Sequence, residues 1–306
     1  MTQTRTVLIA RHVGGPDVLE FFTEHTPAPG PGEVLVQVRA AGINPIDARR
    51  MTGEFGDRVP MTFGTEFAGV VRAVGRGVDD RRHGDAVLGS GGAFTHATHI
   101  VVPAGNLIAK PGSLSWEVAG SLAGAAQTAV GLLRHLGLPA GASLLVHGGA
   151  GGVGSITVQL AVRRGLTVVA TASPANQDYL RELGATPVGY GPGLTARVTA
   201  VHPAPFDAAI DMAGTTEAVD TSLAVVGPEG PIVSIAGRPV DAPRVQPFRM
   251  RPDLDALREV VDGVADGALR WEVTRTYPFL NAVTAYTDIR TGHTRGKTVL
   301  TFPAGL

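Results

Sequence analysis

The densest chemistry in the chain lies between Ser143 and Gly154, where the apolar run Ser143-Leu144-Leu145-Val146-His147 leads into Gly149-Ala150-Gly151-Gly152-Val153-Gly154. Glycines at that spacing meet three needs: a tight turn, close approach of backbone to a pyrophosphate, and close packing of a helix on the preceding strand. N–H groups at the helix start then hold the diphosphate. Val153, Ile156, Leu160 and Ala161 follow on one helical face. Strand, turn and helix therefore stand in the order a dinucleotide site requires, which makes Gly149, Gly151, Gly152 and Val153 candidate cofactor residues. Without that flanking order, the same spacing in a chain with 41 glycines would be only a glycine-rich loop.

Metal ligands are scarce. Cysteine is absent, which excludes disulfides, thiolate nucleophiles and Cys-ligated zinc, so redox chemistry must come from a bound cofactor. His96 and His99 form the one His-x-x-His pair. In a strand such as 94–102, residues three apart point to opposite faces, so they read as ordinary strand histidines. Lys and Arg total 26 against 27 Asp and Glu, with no long block of one sign, which gives no footing for nucleic acid or an acidic membrane. Lys110 and Lys297 are the only lysines among those cations, which singles out Lys297.

A length of 306 residues suggests about two domains. Residues up to about 115 read as strands and turns: Glu33–Ala41 alternates apolar and polar for half-buried pairing, and Ala68–Val74 is another strand. One long helix is expected over Trp116–Leu136. Strand and helix then alternate, with parallel strands at Ser143–His147, Thr167–Thr171, Phe206–Met212 and Gly230–Ala236. Helices are expected at 151–164, 175–183, 215–226 and Pro252–Ala265, the last with Pro in its first turn. From Glu272 the chain returns to short strands around a helix near Leu280–Ile289 and rejoins the first domain. The N-terminal stretch lacks the features of a signal peptide, and the apolar segment Val118–Leu133 is too short to span a bilayer. The expectation is a cytoplasmic protein with no membrane and no nucleic-acid partner.

Several further motifs stand in order along the chain: Gly42-Ile43-Asn44-Pro45-Ile46-Asp47, Gly64-Thr65-Glu66-Phe67-Ala68-Gly69, Gly84-Asp85-Ala86-Val87, Gln127-Thr128-Ala129 and Gly296-Lys297-Thr298-Val299-Leu300. With the glycine turn they resemble the zinc-free quinone oxidoreductase (zeta-crystallin-like) branch of the medium-chain dehydrogenase/reductase superfamily, over essentially the whole length. The resemblance implies an α/β fold: a Rossmann doubly wound parallel sheet, residues 118–267, plus a discontinuous GroES-like β-rich domain, residues 1–117 and 268–306. It places the active site between the two domains. In the zinc relatives a Cys stands at the position of Asn44 and a His at that of Thr65, so catalytic zinc is not expected. Without a Lewis acid, conjugated acceptors are the easier targets, because they take hydride at carbon while spreading charge onto oxygen.

The resemblance implies NADPH as cofactor and a small quinone or enone as substrate, with a homodimer formed through the Rossmann domain and the apolar segment Val225–Ala236 suited to a sheet edge. After the second Rossmann strand the chain reads Thr171-Ala172-Ser173-Pro174, without the acid an NAD site places there. Ser173 and Tyr190 are implied contacts to the 2′-phosphate, while Asn176 and Gln177 stand where many relatives carry a Lys. Ser173 also reads as a helix cap. Thr128, Ala213, Ile235, Ala236, Arg295 and Lys297 are implied cofactor neighbours, for which core packing and a solvated strand end are the plain readings. Asn44 is the implied catalytic residue, donating to a substrate carbonyl or fixing the cofactor ribose, against the plain reading of an Asn-Pro turn. Phe55 stands where relatives often have Tyr and can pack against substrate without delivering a proton. Two alternatives stay open: a biosynthetic enoyl reductase acting on a polyketide-like or thioester-linked intermediate, and an NADPH-binding protein without turnover.

Overall fold

The computed structural model describes residues 3–56, 58–236, 242–292 and 294–303. The chain divides into two units, Met1–Gly124 with Pro252–Asp266 and Glu272–Leu306, and Ala125–Arg251 with Gly267–Trp271.

In the first unit a seven-stranded sheet runs in the order Val273–Pro278, Lys297–Thr301, Glu33–Ile43, Glu66–Val74, Ala86–Ser90, Leu107–Ala109, with His99–Pro103 also paired to Glu33–Ile43. The strand Lys297–Thr301 is parallel to the first of these and antiparallel to the third, setting Thr298 beside Ile43. The alternation over 33–41 marks a strand buried along most of its length, because three neighbours pair with it. A second sheet holds three strands, Leu19–His25, Thr4–Ala10 and Met61–Thr62. The core gathers Val36, Phe63, Phe67, Ile100, Phe279 and Tyr286, with Phe279 stacked on Phe302 at 4.5 Å between centroids.

The expected helix over Trp116–Leu136 is two helices, Trp116–Ala119 and Ala123–Leu136. Gly120 separates them. Its O accepts from Gly42 N–H at 2.9 Å, and a Cβ at Gly120 would lie 2.5 Å from Ala40 O. The chain turns where only glycine fits against the neighbouring strand, and apolar periodicity carries no sign of such a contact. The helix Leu254–Ala265 begins after Asp253, whose Oδ1 accepts from Asp255 and Ala256 N–H. Pro252 therefore precedes the cap instead of occupying the first turn. This helix, read with the Rossmann segment, groups by proximity with the first unit.

The second unit is built on six parallel strands in the order Thr186–Gly189, Thr167–Ala172, Ser143–His147, Ala208–Asp211, Ile232–Ser234, Val245–Pro247. This is the doubly wound order, reversing between Ser143–His147 and Ala208–Asp211. Ser143–His147 is buried at every position, as a strand covered on both faces must be. The two edge strands were not foreseen. Each is short and contains a proline, Pro187 or Pro247, which a sheet tolerates at its edge. Because Val245–Pro247 pairs outside Ile232–Ser234, the apolar segment 225–236 is interior to the sheet and is not its edge. Among the described residues no helix is long and apolar enough to cross a membrane.

Candidate functional site

In a parallel sheet every strand points its C-terminus the same way, so the residues just after the strands converge on one edge. That edge collects most of the expected cofactor residues. Tyr190 follows Gly189, Ser173 follows Ala172, the glycine turn follows His147, Ala213 lies two residues past Asp211, and Ile235 and Ala236 follow Ser234. The turn divides its labour differently from the motif. Gly148, one residue upstream of the fingerprint, takes the left-handed conformation at φ +77°. Gly154 is the packing glycine, since a Cβ there would lie 2.3 Å from Gly148 O. Gly151 caps the helix Gly152–Arg163 in an extended conformation, and the first-turn N–H groups beyond it have no acceptor within the helix. A glycine cradle at a helix start, on the switch point of the sheet, fits a dinucleotide diphosphate.

Two buried side chains stiffen this edge. Asp211 Oδ1 accepts from Ala213 and Gly214 N–H at 2.9 Å each, and its Oδ2 accepts from Ser234 Oγ at 2.9 Å. Ser234 Oγ in turn accepts from Ala236 N–H at 3.2 Å. One carboxylate therefore sets the backbone after two strands. His147 lies on the other side of the reversal. Ser222 Oγ donates to Ala218 O at 2.9 Å, so His147 Nε2 donates to Ser222 Oγ at 3.1 Å. Nδ1 is left to accept from Thr171 Oγ1 at 3.4 Å, and Thr171 Oγ1 itself accepts from Gly148 N–H at 3.3 Å. Burial pushes the His147 imidazole down to about 4, with the Asp211 carboxylate opposing that shift. The neutral tautomer this chain of bonds requires is the one burial favours. The apolar flanks gave no sign of either role, although an acid and a histidine closing two apolar strands were visible signals.

Ser173 occupies the cap position before Pro174–Asn176, yet its hydroxyl makes no capping bond. It accepts from Asn176 Nδ2 at 3.1 Å. Gln177 Nε2 folds back to Ala172 O at 2.8 Å. Tyr190 is 45 % exposed. Thr128 is half-buried on the helix Ala123–Leu136.

The first unit holds a different kind of cluster. Asn44 opens the short helix Pro45–Met51, and its backbone N–H donates to Asp47 Oδ2 at 2.9 Å. Asp47 Oδ1 accepts from Gly64 N–H at 3.1 Å, tying this helix to the Gly64–Glu66 segment. Lys297 and Glu66, 5 % and 0 % exposed, pair at 2.5 Å. Lys297 Nζ also donates to Asn44 Oδ1 at 2.5 Å. Asn44 Nδ2 donates to Thr65 Oγ1 and Glu66 Oε1 at 3.3 and 3.1 Å, and Gly124 N–H meets Glu66 Oε2 at 2.6 Å. Asn44 is therefore more than a turn residue: both its amide N–H bonds are engaged within the protein, and Lys297 is far from a solvated strand end. An ammonium donates three N–H bonds, and two of those of Lys297 are spoken for.

Arg295 pairs with Glu272 at 2.6 Å and is 41 % exposed. Phe55 is exposed in the turn after Pro45–Met51, with Arg49 over its ring at 5.0 Å. Among the described residues, neither bonds to Asn44, Glu66 or Lys297. His96 and His99 are apart in role. His96, before the strand His99–Pro103, meets Gly42 O at 3.1 Å and Tyr286 Oη at 2.9 Å. Burial lowers the His96 pKa and raises that of Tyr286, so His96 is neutral, donating from Nε2 and accepting at Nδ1. His99 meets Gln3 Nε2 and Thr98 Oγ1.

Two family models match the chain, "Alcohol dehydrogenase GroES-like domain" over residues 30–130 and "Zinc-binding dehydrogenase" over residues 183–300. The donor set does not fit the metal in that second description. There is no cysteine, Asn44 and Glu66 are bonded to the Lys297 ammonium, and among the described residues no three His, Asp or Glu side chains are grouped to hold an ion. The chloroplastic NADPH-dependent alkenal/one oxidoreductase of Arabidopsis thaliana is 31 % identical over 305 residues, 94 % of this chain and 77 % of that one. The pikromycin polyketide synthase component PikAII of Streptomyces venezuelae is 34 % identical over 90 % of this chain, which spans only 8 % of the synthase's length. The solved quinone oxidoreductase from Coxiella burnetii superposes with a TM-score of 0.88 at 29 % identity, covering 98 % of this chain and 99 % of that one. With a GroES-like segment, a doubly wound sheet carrying the glycine turn at its switch point, and these relatives, the chain belongs to the medium-chain dehydrogenase/reductase superfamily, in its quinone oxidoreductase branch.

Proposed function

We propose that the protein is an NADPH-dependent oxidoreductase, cytoplasmic and working without zinc, that reduces a small quinone or the activated double bond of an enone. The observation that carries the reading is the strand-end edge of the second unit. A glycine cradle stands at the switch point, and the end of the second strand offers the Ser173 hydroxyl where an NAD site would place an acid. NADPH, when bound there, supplies the hydride. Gly151, Gly152 and Val153 would hold its diphosphate on backbone N–H groups, and Ser173 and Tyr190 would contact its 2′-phosphate. Asp211 and Ser234 hold the Ala213 and Ile235–Ala236 backbone, which with Thr128 would take up the nicotinamide end. In the first unit, Lys297 carries positive charge into a dry site, held by Glu66 and Asn44. Asn44 fixes that ammonium through Oδ1.

The PikAII match favours a second reading, a biosynthetic enoyl reductase acting on a polyketide-like or thioester-linked intermediate. A homodimer would use the exposed edge strand Val245–Pro247. The test is NADPH oxidation by the metal-stripped protein with 9,10-phenanthrenequinone, a small enone and a crotonyl thioester, with NADH alongside. Turnover of quinone or enone, faster with NADPH, is expected. Turnover of the thioester alone selects the second reading, and tight NADPH binding with no turnover defeats both.

A further inference from the structure

Arg197, on the helix Leu194–Val201, holds the turn that follows the edge strand Thr186–Gly189. Its Nε donates to Gly189 O at 2.9 Å, Nη1 to Pro192 O at 2.8 Å and Nη2 to Gly191 O at 2.6 Å. All three acceptors are neutral carbonyls. Arg181, Arg258, Arg270 and Arg295 each meet a carboxylate, whereas among the described residues no acid pairs with Arg197. A guanidinium has five N–H bonds, so two remain with an unneutralised charge. The location matters. Gly189 is the register partner of Ala172, so Ser173 and Tyr190 are the next residues on adjacent strands, and the arginine is anchored at their shared end. Asn176 and Gln177 are folded onto the Ser173 turn and are uncharged. One acid bears on the same turn: Glu217 Oε2 accepts from Gly191 N–H at 2.8 Å.

Given the NADPH reading above, we infer that Arg197 is the residue that selects the 2′-phosphate, bracing the Gly189–Pro192 turn through its carbonyls while its charge and free N–H bonds meet an anion lying over Ser173 and Tyr190. A guanidinium suits this double duty because its planar fork serves several acceptors at once, which an ammonium cannot do as well.

The test is calorimetric binding of 2′,5′-ADP and 5′-AMP to the intact protein and to Arg197→Gln. The wild type should favour 2′,5′-ADP. Arg197→Gln should lose roughly ten-fold or more of that preference, the scale of a hydrogen bond to a charged group, with 5′-AMP affinity held. Equal weakening of both probes, or an unchanged ratio, makes Arg197 a loop brace and overturns the inference while leaving the NADPH reading intact. A wild type indifferent to the 2′-phosphate defeats both. Should Arg197→Gln fail to fold, Arg197→Lys gives the same readout: about a three-fold drop in the ratio is expected, since one ammonium cannot hold turn and phosphate together, and no drop overturns the inference.

Discussion

The Asn44–Glu66–Lys297 cluster and the strand-end edge of the parallel sheet are built on opposite principles. The first is specified by side chains: two opposite charges out of water, each satisfied by the other and by an amide. The second is specified by backbone, with glycine and small or neutral residues at the surface and one carboxylate and one imidazole hidden beneath. In the first, removing an atom leaves a charge stranded. In the second, adding an atom fills space the backbone needs.

The widest separation between the two should appear with Lys297→Met, which leaves Glu66 buried without its cation. A cost of about 3–5 kcal/mol is expected in chemical denaturation, with much of it regained in the Lys297→Met/Glu66→Gln double variant. A single-variant loss under about 1 kcal/mol would mean water reaches the pair, and the comparison fails.

Next in size is acid sensitivity in the second region. Unfolded, His147 protonates near 6.5; folded, it stays neutral down to about 4. Between those values the unfolded chain binds more protons, so stability rises with pH and is lost as pH falls, by about 3 kcal/mol at most. His96, also lowered by burial, adds a loss of the same sign in the first unit. Melting curves from pH 7 to 4 should show the slope, and His147→Gln should flatten it in part. An unchanged slope would mean that His147 titrates freely.

Gly154→Ala sharpens the contrast from the opposite direction. Its methyl group meets Gly148 O and Gly149 Cα, at 2.3 and 2.8 Å before relaxation. Overpacking of this kind costs about 1–3 kcal/mol, and NADPH titration should weaken more than the melting temperature suggests, because the turn itself is displaced. Ser173→Ala should do least: NADPH affinity down by a few-fold, on the scale of one neutral hydrogen bond, with stability unchanged. An equal fall for NADH would remove Ser173 from the 2′-phosphate site.

Legibility followed the same divide. Ser143–His147 was readable to the residue, because a strand buried on both faces shows as an unbroken apolar run before glycines. The edge strands Thr186–Gly189 and Val245–Pro247 were not, since short segments containing proline look like loops until neighbours pair with them. The helix Leu194–Val201 was missed beside them, and with it Arg197. Lys297 stood out by rarity alone; its partner Glu66 lies 231 residues away, a separation no periodicity spans. The break at Gly120 depends on a carbonyl of another strand, which is tertiary information.

Lys297–Thr301 is the last strand described, yet it sits inside its sheet, between Val273–Pro278 and Glu33–Ile43. A chain made from its N-terminus has every strand of the parallel sheet in hand while that gap is still open. During synthesis, the second unit is ready to fold on its own schedule, whereas Glu66 waits without a counter-ion until Lys297, 231 residues later, is made. The sheet of the first unit closes only after the parallel sheet has all its strands, and a chain cut short before Lys297 carries a β-sheet with a strand-wide slot and a bare carboxylate beside it.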